Sequence, residues 1–192
     1  MRNQYKVLAE KYTSLIEESS SEQFKKVDEL KLNIPGYISR LKKTDSIGEF
    51  YDIVGEINSD FNTIAELFYS PAKPGEAQIL SNIVAKHAYE AAWDYRTELL
   101  YRELPKQVGS VPPRGSREYA TKPSREDSGP LSFYKALVTA LQLQAIDHLR
   151  DSNRWREMNK EFMIAFGNWT YYKKASEKLQ KGSEEAGFDL DV

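Results

Sequence analysis

The sequence lacks cysteine altogether and contains only two histidines. Without cysteine, disulfide bonds, thiolate metal sites and a cysteine nucleophile are all excluded. Two histidines are too few for an all-histidine metal site. The sequence also has no GxxxxGK phosphate loop, no GxGxxG motif and no GxSxG nucleophile elbow. We therefore expect a non-enzymatic protein with no cofactor, no metal site and no catalytic residue.

Long hydrophobic runs are missing as well. The uncharged stretch Ala136–Ile146 is shorter than the roughly 20 apolar residues that cross a bilayer. The first residues, MRNQYKVLAEKYTSLIEE, have no apolar core and no small-residue cleavage site, so they do not resemble a signal peptide. We expect a cytoplasmic protein with no membrane partner, or a virion-associated one if its source is viral.

Neither sign of charge is in excess. The sequence has 27 lysines and arginines against 29 acidic residues, which gives a formal net charge of −2. This balance argues against a generally basic nucleic-acid coat but leaves room for a local basic patch. With 192 residues, of which 40% are hydrophobic, the chain is long enough to bury a substantial core.

The segment Leu131–Arg150 is the one around which we expect the fold to be organised. It is apolar around most of a helical projection, and its polar residues Lys135, Thr139 and Gln142 form a narrow stripe. A helix that is apolar nearly all round is normally buried. We therefore predict a central helix in which Leu141 is fully buried.

Helical periodicity recurs along the whole chain, and no alternating strand pattern of useful length occurs. Two polar triplets, Thr44-Asp45-Ser46 and Asn58-Ser59-Asp60, are typical of helix starts. Pro35-Gly36 is expected to interrupt the chain. The predicted helices are Asn3–Glu18, a second one that Ser21 caps and that ends before Pro35-Gly36, Tyr37–Lys43, a helix with Ile47 to Ile57, Phe61–Tyr69, Glu76–Leu104, Leu131–Arg150 and Arg154–Lys181.

These elements predict an all-α fold in which a cluster of short N-terminal helices packs on three long helices. We place the helix Leu131–Arg150 between Glu76–Leu104 and Arg154–Lys181. The chain then divides into a helical part at 1–104, a proline-rich basic loop or linker at 105–130, a helical pair at 131–182 that completes the same core, and an acidic tail at 183–192.

The loop 105–130 is the strongest candidate for a functional segment. It carries five prolines and several basic side chains, and long loops of this kind are usually functional, linking or disordered. A solvated linker is the competing interpretation. The predicted partner-binding or phosphate-binding residues are Lys106, Arg114, Arg117, Tyr119, Lys122 and Arg125.

The tail alternates acidic and apolar residues, the latter being Phe188, Leu190 and Val192. These three side chains are candidates for docking into a partner groove. Folding back onto the basic end of the last helix and a frayed terminus are the alternatives.

The carboxylates Glu90, Asp94 and Glu98 follow one another at four-residue steps on the predicted helix Glu76–Leu104. A metal-dependent enzyme built on them is the weakest hypothesis, because a single helix rarely completes a metal site. We favour a solvated charged face. Similarly, we expect the aromatic stripe from Trp155 to Tyr172 to face the core.

These features favour a non-enzymatic helical interaction or assembly protein: an adaptor, a structural subunit of a larger complex, or a small inhibitor protein of viral or bacterial type. Its partner would be another protein or a second copy. The alternative is an accessory nucleic-acid-binding protein that uses the basic loop 105–130. Salt dependence separates the two, because binding to phosphates weakens steeply as salt rises.

Overall fold

The computed structural model describes residues 21–68, 77–109, 129–145, 150 and 152–185, with only the backbone described at 77–86. All regular structure in these residues is helical, so the predicted all-α class is confirmed. None of the described helices is long and apolar enough to cross a lipid bilayer. The predicted helix Asn3–Glu18 and most of the loop 105–130 lie outside the described residues.

Seven α-helices and one π-helical segment make up the described structure. Their bounds are α1 (residues 21–31), α2 (Ile34–Lys43), α3 (Ile47–Leu67), α4 (Ala77–Thr97), the π segment (Glu98–Glu103), α5 (Leu104–Val108), α6 (Gly129–Ala145) and α7 (Asn153–Glu185).

Helix α2 begins where the sequence predicted a break. Pro35 and Gly36 lie in its first turn, so the prediction that they interrupt the chain is wrong. The first turn of a helix tolerates proline, because the backbone N–H that proline lacks would have no partner there. The extra turn allows Ile34 to be buried with Ile38 and Leu41.

The first polar triplet starts a helix as predicted, whereas the second does not. The Ser46 hydroxyl accepts a hydrogen bond from the Glu49 backbone N–H at 3.4 Å and caps α3. Helix α3 then continues without interruption to Leu67. The predicted helix start at Asn58-Ser59-Asp60 is therefore wrong, and these polar residues lie in the interior of a helix.

The helix that begins at Ala77 runs through Pro105 and ends at Val108, beyond the predicted end at Leu104. A wider π-helical turn precedes the proline, in which the Leu104 N–H donates to the Leu99 carbonyl five residues back. Proline has no N–H and its ring crowds the preceding turn, so a looser turn accommodates it.

Helix α6 packs along α7 and also against α3. The two long helices are antiparallel, because Gly129 adjoins Tyr172 whereas Leu143 shares a small cavity with Asn159. Helix α4 also packs on α3 but makes almost no backbone contact with α6. The prediction that α6 lies between α4 and α7 is therefore wrong, since its second neighbour is α3.

The rotation of α6 about its axis also differs from the prediction. Lys135 and Thr139, from the predicted polar stripe, are buried. Val138 and Leu141 are only half-buried, so the prediction that Leu141 is fully buried is wrong. An all-round apolar helix has a weak preference for one face, so neighbouring helices decide its rotation.

An aromatic cluster forms the centre of the core. The Phe50 ring on α3 lies 5.3–6.4 Å, between centroids, from the rings of Phe133 on α6 and of Phe162, Phe166 and Trp169 on α7. Such edge-on and tilted contacts are the preferred geometry of aromatic pairs. The predicted core-facing stripe of the last helix is thereby confirmed for these three residues.

Candidate functional site: a groove between α3, α4 and α6

A groove opens between α4 and α6, with α3 as its floor. It exists because both helices pack on α3 without packing on each other. Its volume is about 580 Å³, which lies within the range of about 300–1,000 Å³ that is usual for ligand pockets. Phe61 of α3, Leu100 of the π segment and the α6 residues Val138 and Leu141 make its apolar surface.

Helix α4 presents an aromatic and cationic ladder to this groove. The rings of Tyr89 and Trp93 are stacked with centroids 6.2 Å apart and planes 18° from parallel. The Arg96 guanidinium carbon lies 6.0 Å from the centroid of the Trp93 ring, within cation–π range. Tyr89 is 68% exposed, so the ladder extends from the groove to the surface of the protein.

The charge of the groove is carried by Arg96, which is the one charged residue among its thirteen lining residues. The acidic residues next to Arg96 on α4 and the π segment point to other partners. Asp94 pairs with Lys31 of α1, and Glu98 pairs with Arg102 at 2.8 Å. Among the described residues, Arg96 has no carboxylate partner. The groove is therefore electropositive.

Asn58 adds a hydrogen-bond donor to the floor of the groove. Its side-chain nitrogen is buried and has no hydrogen-bond partner in the part of the chain that the structure describes. A buried donor without a partner costs about 1–3 kcal/mol. Asn58 itself lines the groove, so a rotation of its side chain would present this donor to a carbonyl or carboxylate oxygen on a bound molecule. Gln142 provides a further, exposed amide on the α6 side.

A buried polar network fixes the floor beneath the groove. The Tyr95 hydroxyl donates to the Asp60 carboxyl oxygen at 2.8 Å, and the Tyr37 hydroxyl lies 3.2 Å from the same oxygen. Burial, reinforced by Asp60, raises the pKa of Tyr95 well above its ordinary value and that of Tyr37 to about 12. The network joins α2, α3 and α4 through their side chains.

The carboxylates that suggested a metal site each lie beside a basic side chain. Asp94 and Glu98 are paired as described above, and Glu90 lies 3.5 Å from the His87 Nδ1. The described residues contain no group of acidic and histidine side chains that could hold a metal ion. The geometry here is that of a charged helix face.

The residues predicted to bind a partner are mostly outside the described structure. Lys106 lies on α5, is exposed and forms an ion pair with Glu103. The remaining five loop residues and the three tail residues fall within 110–128 and 186–192, which the structure does not describe. The structure therefore does not bring this predicted set together.

The groove residues themselves were missed by the reasoning from sequence. Ala91 and Tyr95 mark the buried face of α4, whereas Tyr89, Trp93 and Arg96 recur at four- and three-residue steps on another face. A helix with two separate aromatic faces is unusual for a structural element, since one face is enough to anchor it in a core. The second face, with Tyr89, Trp93 and Arg96, was therefore the sequence feature from which a binding surface could have been predicted.

Comparison with known protein families, characterised proteins and solved structures found no match to this chain.

Proposed function

We propose that this protein is a non-enzymatic helical interaction or assembly protein whose binding surface is the groove between α3, α4 and α6. The observation that carries the proposal is the ladder of Tyr89, Trp93 and Arg96 along an apolar concave surface. Tyrosine, tryptophan and arginine are the residue types most enriched at the energetic centres of protein interfaces.

The surroundings of the ladder support the same function. The floor offers apolar side chains that gain free energy when a partner excludes water, at about 25 cal/mol for each Å² buried. Amide groups at the sides provide hydrogen bonds that fix the orientation of a partner. The groove lies on helices that are anchored in the core, so a partner meets a preformed surface.

An adaptor, a structural subunit and a small inhibitor protein of viral or bacterial type all use a surface of this kind, and the proposal covers all three. We place the protein in the cytoplasm, or in the virion if its source is viral. The alternative of nucleic-acid binding gains no support from the described residues. Lys106 pairs with Glu103, and Lys173 pairs with Asp45 and the Lys43 carbonyl.

The proposal is tested by site-specific photo-crosslinking in the cells that make the protein. A benzophenone amino acid replaces Gln142 at the groove or, as a control, Leu179, which is 70% exposed on α7. We expect a discrete crosslinked polypeptide from position 142, absent from position 179 and lost in the Trp93→Ala background. Identical products from both positions, or nuclease-sensitive products, would contradict the proposal.

A further inference from the structure

We infer that the groove binds the segment Phe188–Val192 of a second copy of this chain, so that the protein associates with itself through its acidic tail. This inference rests on the proposed function, because it uses the same surface. It adds the identity of the occupant, a short peptide in which apolar and acidic residues alternate.

The polar groups of the groove favour binding of an acidic segment. Arg96 has no carboxylate partner among the described residues, and the buried Asn58 nitrogen has no acceptor there. None of the described residues that line the groove is acidic. An occupant that carries carboxylates meets an attractive potential here, whereas a basic occupant is repelled by Arg96.

The apolar surface calls for large hydrophobic side chains within the same occupant. Val138 and Leu141 are half-buried on one wall, where they pack against the edge of the core and leave part of their surface in the open groove. The segment 187–192, with the sequence GFDLDV, offers an aromatic and two branched aliphatic side chains separated by single aspartates. Its apolar residues match this wall, and its aspartates match Arg96.

The other concave surface near the end of α7 does not offer the same chemistry. A pocket of about 410 Å³ lies between α5, α6 and α7, and its cationic residues are Lys42 and Lys173. Both are already engaged: Lys42 donates to the Gln107 carbonyl, and Lys173 pairs with Asp45 at 3.1 Å. An acidic segment therefore gains less here than beside Arg96.

The length of α7 excludes docking within one chain. The groove adjoins the end of α6 where Gln144 also shares a cavity with Asn159 of α7. From Asn159 to Glu185, the helix extends about 39 Å at 1.5 Å per residue. Phe188 adds about 10 Å at most, and even Val192 adds only about 25 Å. The segment reaches the groove of another molecule and not its own.

Engineered cysteines provide the first test, because the natural chain has none to react. Full-length Gln142→Cys and Leu190→Cys proteins are mixed and mildly oxidised, and disulfide-linked heterodimers are followed on non-reducing gels. The control mixture pairs Leu190→Cys with Leu179→Cys, since Leu179 is exposed on α7 away from the groove. Docking should make the Gln142 pair form at least about tenfold faster than the control.

Equal rates for the two mixtures would overturn the inference. A second arm places Gln142→Cys and Leu190→Cys in one chain at high dilution. A rapid intramolecular disulfide there would show that the tail occupies its own groove and would also overturn it.

Charge exchange provides the second test. Arg96→Glu, and separately Asp189→Lys with Asp191→Lys, should each weaken self-association in sedimentation experiments by about tenfold. Mixing the two variants should restore association, because the natural tail of the Arg96→Glu protein meets the natural groove of the tail variant, and the reversed charges also complement each other. No restoration in the mixture, with both variants folded by circular dichroism, would contradict the inference.

The two experiments distinguish a failure of this inference from a failure of the proposed function. If photo-crosslinking from position 142 captures a different polypeptide and the cysteine pair shows no preference, the groove is an interaction surface and the tail is not its occupant. If position 142 captures nothing and the cysteine pair shows no preference, both proposals fail.

Discussion

At the scale of single residues, polar side chains in the interior of α3 do two different tasks. Asp60 is buried and accepts hydrogen bonds from Tyr95 and Tyr37, which joins three helices. Asn58, two residues earlier, contributes an unpaired donor to the groove. Asparagine and aspartate are poor helix formers, so their place inside a helix calls for a compensating contact. Asp60 has that contact within the protein, and we propose that Asn58 obtains it from a ligand.

The tyrosines predict how stability depends on pH. Burial raises the pKa of Tyr51 to about 12, and burial together with Asp60 raises that of Tyr37 to about 12, against about 10 when unfolded. The unfolded chain therefore releases these protons first. Their contribution is fully present below pH 10 and is lost as the pH rises from about 10 to about 12. Urea unfolding across this range should show a falling free energy of unfolding.

Tyr51→Phe provides the control for this alkaline effect. It removes one titrating hydroxyl whose raised pKa has burial as its cause. The variant should therefore lose less stability between pH 10 and pH 12 than the natural protein does. An identical pH dependence in the two proteins would show that other groups cause the alkaline loss.

A pair of glycines allows a matched prediction of packing at close range. A Cβ atom on Gly129 would lie 2.0 Å from Cδ1 of the Tyr172 ring, whereas one on Gly55 would meet no atom within 4 Å. Gly129→Ala should lower the free energy of unfolding by about 1–3 kcal/mol, since the ring must move. Gly55→Ala should raise it by about 0.5–1 kcal/mol, because alanine suits a helix interior better. Equal effects in urea unfolding would refute this account.

At the scale of elements, the helices themselves were largely predictable, but their ends and rotations were not. The cap at Ser46 follows from local hydrogen bonding, which the sequence encodes directly. The continuity of α3 through residues 58–60 does not follow from local hydrogen bonding, because the partners of Asp60 lie on other helices. The helix also continues through Pro105 because of a π-helical turn, which the spacing of apolar residues in the sequence does not predict. Contacts between helices override local preference at Asp60, and a change of helical hydrogen bonding accommodates Pro105.

Helix α6 gives a test of its observed rotation. Leu137 is completely buried, whereas Leu141, one turn later, is half-buried at the groove. Leu137→Ala should therefore cost about 2–5 kcal/mol of unfolding free energy, as for other fully buried leucines. Leu141→Ala should cost clearly less. Denaturation in urea of the two variants side by side checks the order, and a larger loss at Leu141 would show that α6 is rotated differently.

At the scale of the whole molecule, the aromatic cluster and the groove lie at different positions along α3, since Phe50 is near its N-terminal end and Phe61 comes eleven residues later. Phe50 packs into the aromatic cluster with α6 and α7, whereas Phe61 faces the groove beside α4. The class of fold was accessible from periodicity, but the groove was not. It arises because α4 and α6 both pack on α3 while their backbones make almost no contact with each other, and a sequence does not display such a gap.

This separation predicts that binding and stability respond independently to substitution. Arg96→Ala removes the guanidinium over the Trp93 ring, a contact worth about 0.5–1 kcal/mol at an exposed site. Thermal unfolding should therefore shift only slightly, while crosslinking from position 142 should be strongly reduced. A large loss of thermal stability in this variant would mean that the ladder is part of the core.

The π-helical segment has one more consequence for the molecule. Leu99 and Leu100 are adjacent and yet both buried. The wide turn shifts the angular phase of the helix, so that the part before it presents Trp93 to the groove while Leu104 after it still meets the core. The residues before and after the π-helical segment therefore point their apolar side chains in directions that a regular α-helix could not combine. A one-residue deletion within 98–103 would force them into a single phase, so that either the ladder or α5 would have to turn away from its present neighbours.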